Sequence, residues 1–458
     1  MRDTFDQRTA AIFGVITTLT GLLIAVAFIP TDPATKGALI LPASILAAAI
    51  LSVPAVRMLN GSRDMLNAEN FTALAYVYWI LLDPIQGAYD LYGASDDAIK
   101  YTLIAVGISA AAMWVGVFGR AWHMPRSCIE VVSKPLETSA ALKIVPVSFL
   151  LGMLNYMYAV DFNLVQMFSY LGGNRWSAPW ARGELGGWDA FLDHAQYFGY
   201  VLPSLAALVI VRRGWFKWES WLTIGAAVIM VLFLAQGGGR RVVGVTVGAA
   251  ILVWVLSQPK LDLRKMLAVA VATFGLLSMM QFMLEIRSEG YENYTASSKR
   301  LEYLHVDDNF LRLAQIIDIV PAEHPYVYLK QIGYALVRPI PRIFWEGKPT
   351  DPGFDLADTL GLKGVSLSSS IVGEWYLCFG WVAVILGGWL HGRLACAVNG
   401  LLEGKLAANN PIVFGLAVMV LVAGVRSMLD LVVMSYAVLA WYGVAWLIAH
   451  RSRHRTLA

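Results

Sequence analysis

Twelve stretches of this chain run for close to twenty residues with almost no charge, and that repetition constrains the fold more than any other feature. They lie near 11–29, 38–56, 71–88, 101–119, 142–160, 196–211, 220–236, 241–257, 266–284, 367–390, 409–426 and 430–449. A helix needs about 20 apolar residues to cross about 30 Å of hydrocarbon. Composition agrees: 15% of the 458 residues are charged and 58% hydrophobic, with a mean hydropathy of +0.60, whereas a soluble domain carries about 25% charged residues. The expected fold is therefore an all-α polytopic membrane protein of about twelve transmembrane helices, forming a single transmembrane domain over residues 1–458. A net charge of +3 without a basic stripe offers nucleic acid no binding face. Cys128, Cys378 and Cys396 match no metal spacing, and none falls in an outward loop, so no disulfide framework is expected.

Basic residues orient the spans. With the N-terminus in the cytoplasm, Arg57 and Arg63, then Arg120, Arg126, Lys134 and Lys143, then Arg212, Arg213 and Lys217, then Lys260, Arg264 and Lys265 fall inside. So do Arg451, Arg453 and Arg455, as the positive-inside rule requires, which puts both termini in the cytoplasm. Trp215, Trp218 and Trp221 gather at the inner interface like an aromatic belt. The first run, with Met1-Arg2-Asp3 before it and Thr17, Thr18 and Thr20 inside it, reads as an anchor rather than a cleaved signal. Two outward excursions remain. The segment 161–195 holds Trp176, Trp180 and Trp188 among polar residues and suits the membrane surface. The segment 285–366 is long enough to be functional; within it, 326–344 is apolar but broken by Arg338, Pro339, Pro341 and Arg342, which predicts a re-entrant or interfacial segment rather than a further span.

The chemistry-bearing residues gather at the outer face. Gly237-Gly238-Gly239-Arg240-Arg241 is a tight outer turn whose basic pair breaks the topology rule. Three glycines permit close backbone approach, and the next helix's free N–H groups with two guanidinium forks would hold an anion. The plainer alternative is arginines that reach up to lipid headgroups. Arg338-Pro339-Ile340-Pro341-Arg342, followed by Trp345 and Lys348, makes a second rigid cationic segment, suited to a phosphate clamp or to headgroup depth. Glu374 sits inside an apolar run, where an ionisable group is a functional candidate, either as a general base or as the partner of an arginine. Asp83 is likewise intramembrane, and Arg426 with Asp430 reads as an ion pair. His194, His305 and His324 face outward, with surface positions the simpler account and proton transfer the alternative. Asp307-Asp308 and Asp96-Asp97 lack a spaced third ligand for a divalent ion, and no nucleotide loop, Ser-His-Asp order or Cys/His metal box is present.

The Gly-Gly-Gly-Arg-Arg turn, the long outer loop, and Pro341-Arg342-Ile343-Phe344-Trp345-Glu346-Gly347-Lys348-Pro349 leading into Gly373-Glu374-Trp375-Tyr376 and Phe379-Gly380 resemble the bacterial O-antigen and oligosaccharide repeat-unit polymerases (Wzy type). The resemblance covers residues 236 to 392. It implies a membrane glycosyltransferase of GT-C-like architecture in the bacterial inner membrane with its active site facing the periplasm. The implied reaction moves a growing glycan from undecaprenyl pyrophosphate onto a single lipid-linked repeat unit, for O-antigen, capsule or exopolysaccharide. The resemblance also implies a chain-length regulator as partner. It places Arg240, Arg241, Arg338 and Arg342, with Lys348 alongside, near the donor pyrophosphate. Arginines that neutralise a leaving diphosphate make a metal or cofactor unnecessary, and the acceptor proton would go to Glu374 first, or to His305 or His324. Tyr291, Tyr294, Trp176 and Trp180 are candidates for stacking on sugars.

A flippase or transporter for lipid-linked oligosaccharide is the main competing class, since twelve spans with both ends inside is a common transporter layout. Transporters, however, usually carry internal repeats and charges near the midplane; no repeat is seen here, and the charges collect at the outer face. An O-antigen ligase would share the arginines and the outer loop. A polyprenyl-monophosphate sugar transferase would be expected to carry an acidic motif in the first outer loop, where Thr31-Asp32-Pro33-Ala34-Thr35-Lys36 has a single acid.

Overall fold

The computed structural model describes residues 6–61, 64–119, 122, 126–132, 134–173, 177–182, 189–236, 239–286, 303–349, 351–362, 367–402 and 411–456; these are helical and connecting segments, with no strand among the described residues. In chain order, α1 (Gln7–Ala27) leads into α2 (Ile40–Ile50) and α3 (Ser52–Asn60). Next, α4 (Ala68–Tyr76), a π-helical turn (Val77–Leu81) and α5 (Leu82–Gln86) form one column. There follow α6 (Asp96–Phe118), α7 (Thr138–Tyr158), α8 (Phe191–Arg213), α9 (Trp218–Gln236), α10 (Arg240–Leu256) and α11 (Leu263–Ile286). The short α12 (Asn309–Ile319) and α13 (Lys330–Val337) precede α14 (Ser370–Asn399), α15 (Pro411–Arg426) and α16 (Met428–Thr456).

Eight of these helices, α1, α6, α7, α8, α9, α11, α14 and α16, are long and apolar enough to cross a membrane, and α2 with α3, bent by 49°, would make a ninth. The other apolar runs of the sequence are helical too, but the α4–α5 column is divided by its π-turn, and α10 and α15 have only 17 and 16 residues. The physical reason is common to all three. Glu69 and Asp83, Arg240 and Arg241, and Arg426 occupy helical positions within or at the ends of these runs and engage other parts of the protein, which shortens each continuous apolar length.

Close packing centres on α6, whose apolar window is 72% buried, against 11% for α11 at the periphery. The chain meets the crowding at the α6–α14 crossing with glycine. A Cβ on Gly392 would lie 1.9 Å from the Met113 carbonyl oxygen, and one on Gly116 would lie 2.2 Å from that of Trp389. Small residues at such crossings let backbones touch and gain dispersion that lipid cannot supply. At the end of the bundle remote from residues 303–349, buried Arg57 is 2.6 Å from Glu69 and 3.2 Å from the Asn70 amide oxygen, and Asn399 also donates to Glu69, clasping α3, α4 and α14 together.

The interruptions in the α4–α5 column and in α14 are both repaired by the segment between α11 and α14. A π-turn frees a backbone carbonyl; that of Trp79 accepts the side-chain amide of buried Asn309 at 2.8 Å. In α14, Phe379 (φ −148°, ψ 27°) and Gly380 (φ 61°, ψ −141°) break the helix. The carbonyls of Leu377 and Cys378 then accept the N–H groups of Val327 at 2.9 Å and Tyr328 at 3.1 Å. Unpaired backbone groups at this depth would cost several kcal/mol each, so the break persists because the loop fills it. Gly380→Ala should therefore destabilise the protein by about 1–2 kcal/mol, since a side chain is strained at that φ and its Cβ would sit 2.8 Å from the Tyr326 hydroxyl. Thermal unfolding of the detergent-solubilised protein measures this, and an unchanged midpoint would refute it.

The 326–344 region is resolved as α13 and a single 3-10 turn at Arg342–Phe344, too short to form a further span. Leu329, Leu336, Ile343 and Phe344 are exposed there, as are Leu164, Val165 and Phe168 on the short helix Leu164–Ser169.

Candidate functional site

Gly239 caps α10, whose first two residues are Arg240 and Arg241. Neighbours on a helix point about 100° apart, so the two arginines serve different partners. Arg240 turns to the extended segment before α12: its guanidinium lies 2.9 Å from Asp307 and donates to the carbonyls of His305 at 3.1 Å and Val306 at 3.4 Å. Arg241 lies 2.8 Å from Asp430, in the first turn of α16. Arg426, the last residue of α15, closes the set, 2.5 Å from Asp307 and 2.7 Å from Asp430. The result is an alternating chain, Arg240–Asp307–Arg426–Asp430–Arg241, drawn from α10, the 303–308 segment and both sides of the α15–α16 junction. Burial pushes the Asp307 carboxyl up, but the guanidiniums of Arg426 and Arg240 outweigh it and hold the group below its ordinary range.

Three guanidiniums against two carboxylates leave one positive charge in excess. It is most available at Arg241, whose side chain is 41% exposed against 11% for Arg240 and 17% for Arg426. Arg241 also lines one end of an apolar groove of about 490 Å³ between the α4 column, α10, α11 and α15. From Arg241 to Val255 along α10 the groove extends about 20 Å, at about 1.5 Å per residue, and it reaches Met58 and Met65 at its other end.

The extended segment is pinned from every side. Gln86 exchanges two hydrogen bonds with the Leu304 backbone, at 2.9 Å and 3.1 Å, and the Gln281 side-chain oxygen accepts the His305 amide at 3.1 Å. This delivers His305 to the arginine chain. Its Nδ1 is buried without a hydrogen bond, 3.7 Å from Asp308.

The other candidates are placed differently. Glu374 neither pairs with an arginine nor faces the groove; both oxygens are used at the start of α16, accepting the Ser427 hydroxyl at 3.0 Å and the Met428 amide. It acts as a cap on that helix, which sequence reading did not foresee. His324 lies beside Phe354, ring centroids 5.0 Å apart, with Nδ1 2.7 Å from the Pro325 carbonyl oxygen. His194 stacks on Tyr436 at 5.4 Å.

Lys348 is spent on structure: its ammonium donates to the carbonyls of Arg338 at 2.9 Å and Ile340 at 2.7 Å, tying down the proline-rich turn. Burial, then the charges of Arg338 and Arg342, push that ammonium below the ordinary lysine range. Arg338 rests on Tyr334, 5.9 Å from the ring, and lies within electrostatic range of Tyr436; Arg342, half-buried, opens the next turn. Tyr436 in turn packs on Tyr197, which feels Arg241.

Trp180 is a packing residue, edge-on to Tyr156 and Tyr170, with its N–H on Gln236 at 3.1 Å, rather than a free platform. Gly237, Gly238, Trp176, Tyr291 and Tyr294 lie outside the described residues. Asp307 and Asp308 are engaged by Arg240, Arg426 and Arg312, and among the described residues no three His, Cys, Asp or Glu side chains are grouped to hold a metal. Sequence reading recognised the Arg426–Asp430 pair but missed its extension through Asp307; the available signal was the rarity of charge at these depths.

No protein-family model, curated protein or solved structure matches this chain. Its function has to be argued from the site.

Proposed function

We propose that this chain is a glycan polymerase of the bacterial inner membrane, transferring a growing glycan from undecaprenyl pyrophosphate to a lipid-linked repeat unit at the periplasmic face. One observation carries the reading: an apolar groove running along the helices is lined at one end by Arg241, the most exposed arginine of an alternating Arg/Asp chain with one positive charge in excess. A polyprenyl chain suits such a groove, and a diphosphate suits that end. In this reading the three other helical segments would complete twelve crossings, with both termini in the cytoplasm and the 303–349 region outside, an orientation that the distribution of basic residues supports.

In this mechanism the carbon–oxygen bond to the diphosphate breaks with its electron pair leaving on the phosphate, and Arg241 stabilises that charge in a partly dry site. Arg240 and Arg426 act at one remove by holding the network rigid. Arg338 and Arg342, across the Tyr436–Tyr197 wall, face the glycan side of the donor.

The test uses purified protein, chelator, and undecaprenyl-diphosphate-linked oligosaccharide isolated from cells lacking this protein. A ladder of longer glycans supports the reading. Transport of the lipid across a vesicle membrane without elongation would make the chain a flippase instead. Filling the groove adds a sharper check. Gly244→Leu projects into it beside Met280 and should raise the KM for the lipid-linked donor about tenfold, equivalent to about 1.4 kcal/mol. An unchanged KM would place the lipid elsewhere.

A further inference from the structure

Back to back with the arginine chain, and sharing residues 305–308 with it, lies a second polar cluster of Asp83, Tyr89, Tyr303, His305, Asp308 and Arg312. Asp83 is 3% exposed; its Oδ2 accepts the Tyr89 hydroxyl at 3.1 Å, while its Oδ1 is buried without a partner. Asp83 lies within electrostatic range of both His305 and Asp308. Asp308 is the residue before α12, yet its side chain does not cap that helix: it holds a left-handed backbone (φ 53°) and sends its carboxylate to Arg312 at 3.3 Å and toward His305 Nδ1. The His305 ring has one buried nitrogen, Nδ1, facing carboxylate; Nε2 is not among the buried unpaired atoms and has no partner among the described residues. A cavity of about 10 Å³ touches Asp83 and Tyr89 and is lined also by Thr35, Gly37 and Leu91. That is about the size of one water.

We propose that His305 is the base of the transfer and that Asp83 is its positioning residue. The inference rests on the polymerase reading given above. The acceptor sugar's O–H gives its proton to His305 Nε2 as the oxygen bonds to the anomeric carbon and the diphosphate departs with the bonding pair. The imidazolium has Nδ1 facing Asp308 at 3.7 Å and lies within electrostatic range of Asp83; as the product leaves, it gives the proton from Nε2 to water, which restores the tautomer that accepts there. An imidazole oriented and charge-stabilised by a carboxylate is the arrangement that proton-abstracting sites require. The charged and titratable groups facing His305 are Asp83 and Tyr89 from the α5 side, Arg240 from α10, Arg312 from α12, and Tyr303, Asp307 and Asp308 on its own segment.

The experiment compares wild type, His305→Ala, Asp83→Asn and Tyr89→Phe in the elongation assay across pH. His305→Ala should lower kcat at least 100-fold. Asp83→Asn should lower kcat about tenfold at unchanged KM for the lipid-linked donor and move the acid limb of the rate profile to lower pH, because a nearby carboxylate is lost. Tyr89→Phe keeps the charge and guards against a folding defect in Asp83→Asn; it should leave the limb in place and change kcat less. Elongation by wild type with Asp83→Asn retaining wild-type kcat and pH profile overturns this inference alone, as does an active His305→Ala. A wild type that does not elongate overturns the polymerase reading and this inference with it.

Discussion

Arg241→Ala should lower the elongation rate 100- to 1,000-fold, about 2.7–4 kcal/mol of transition-state stabilisation, while leaving the fold intact. The asymmetry follows from the geometry. Removing this side chain does not orphan Asp430, which keeps Arg426 at 2.7 Å, and the Arg241 side chain is the most exposed of the three arginines in the chain. Arg241→Lys keeps the charge but loses the planar fork, so it should recover only part of the rate. Arg240→Ala is a poor substitute for this test, because it also strips donors from the His305 and Val306 carbonyls and moves His305. Rates on lipid-linked substrate, beside size-exclusion profiles, separate the two. Wild-type elongation in Arg241→Ala would remove the diphosphate from this end of the groove.

Arg426→Ala should cost about 3–5 kcal/mol of stability, the range for breaking a buried ion pair from one side. Arg426 is the hub of the chain. Its loss leaves Asp430, 2% exposed, with Arg241 alone and Asp307 with Arg240 alone, two carboxylates against two cations around an empty centre. It also loosens the α15–α16 junction that Glu374 caps. A large drop in the thermal midpoint, with loss of the monodisperse peak, is the expected result. Asp430→Asn combined with Arg426→Gln replaces charge by amides and should recover much of the loss. A single variant as stable as wild type would show that the network is wet and worth little.

The apolar runs made the helices legible, because spanning length and lack of charge are properties of a contiguous segment. The Arg426–Asp430 pair was legible too, since residues four apart at a helix junction meet whatever the rest of the chain does. Lys348 misled for the converse reason. A lysine among arginines and prolines looks like a phosphate clamp until the turn folds and aims its ammonium at two carbonyls. Glu374 misled similarly: its isolation in an apolar run signalled importance but not the partner, which comes from residues 427–428.

By itself the sequence determined the class of solvent, the helical content and the concentration of unusual charge between residues 236 and 430, because each depends on composition over a local window. The tertiary structure decided which charges cancel. Asp307 meets Arg426 across 119 positions and Arg240 across 67, and Asn309 reaches the Trp79 carbonyl across 230. In a medium of low dielectric an unpaired charge or carbonyl is expensive, so such groups are driven toward partners, but only the packing of helices decides which one lies within reach.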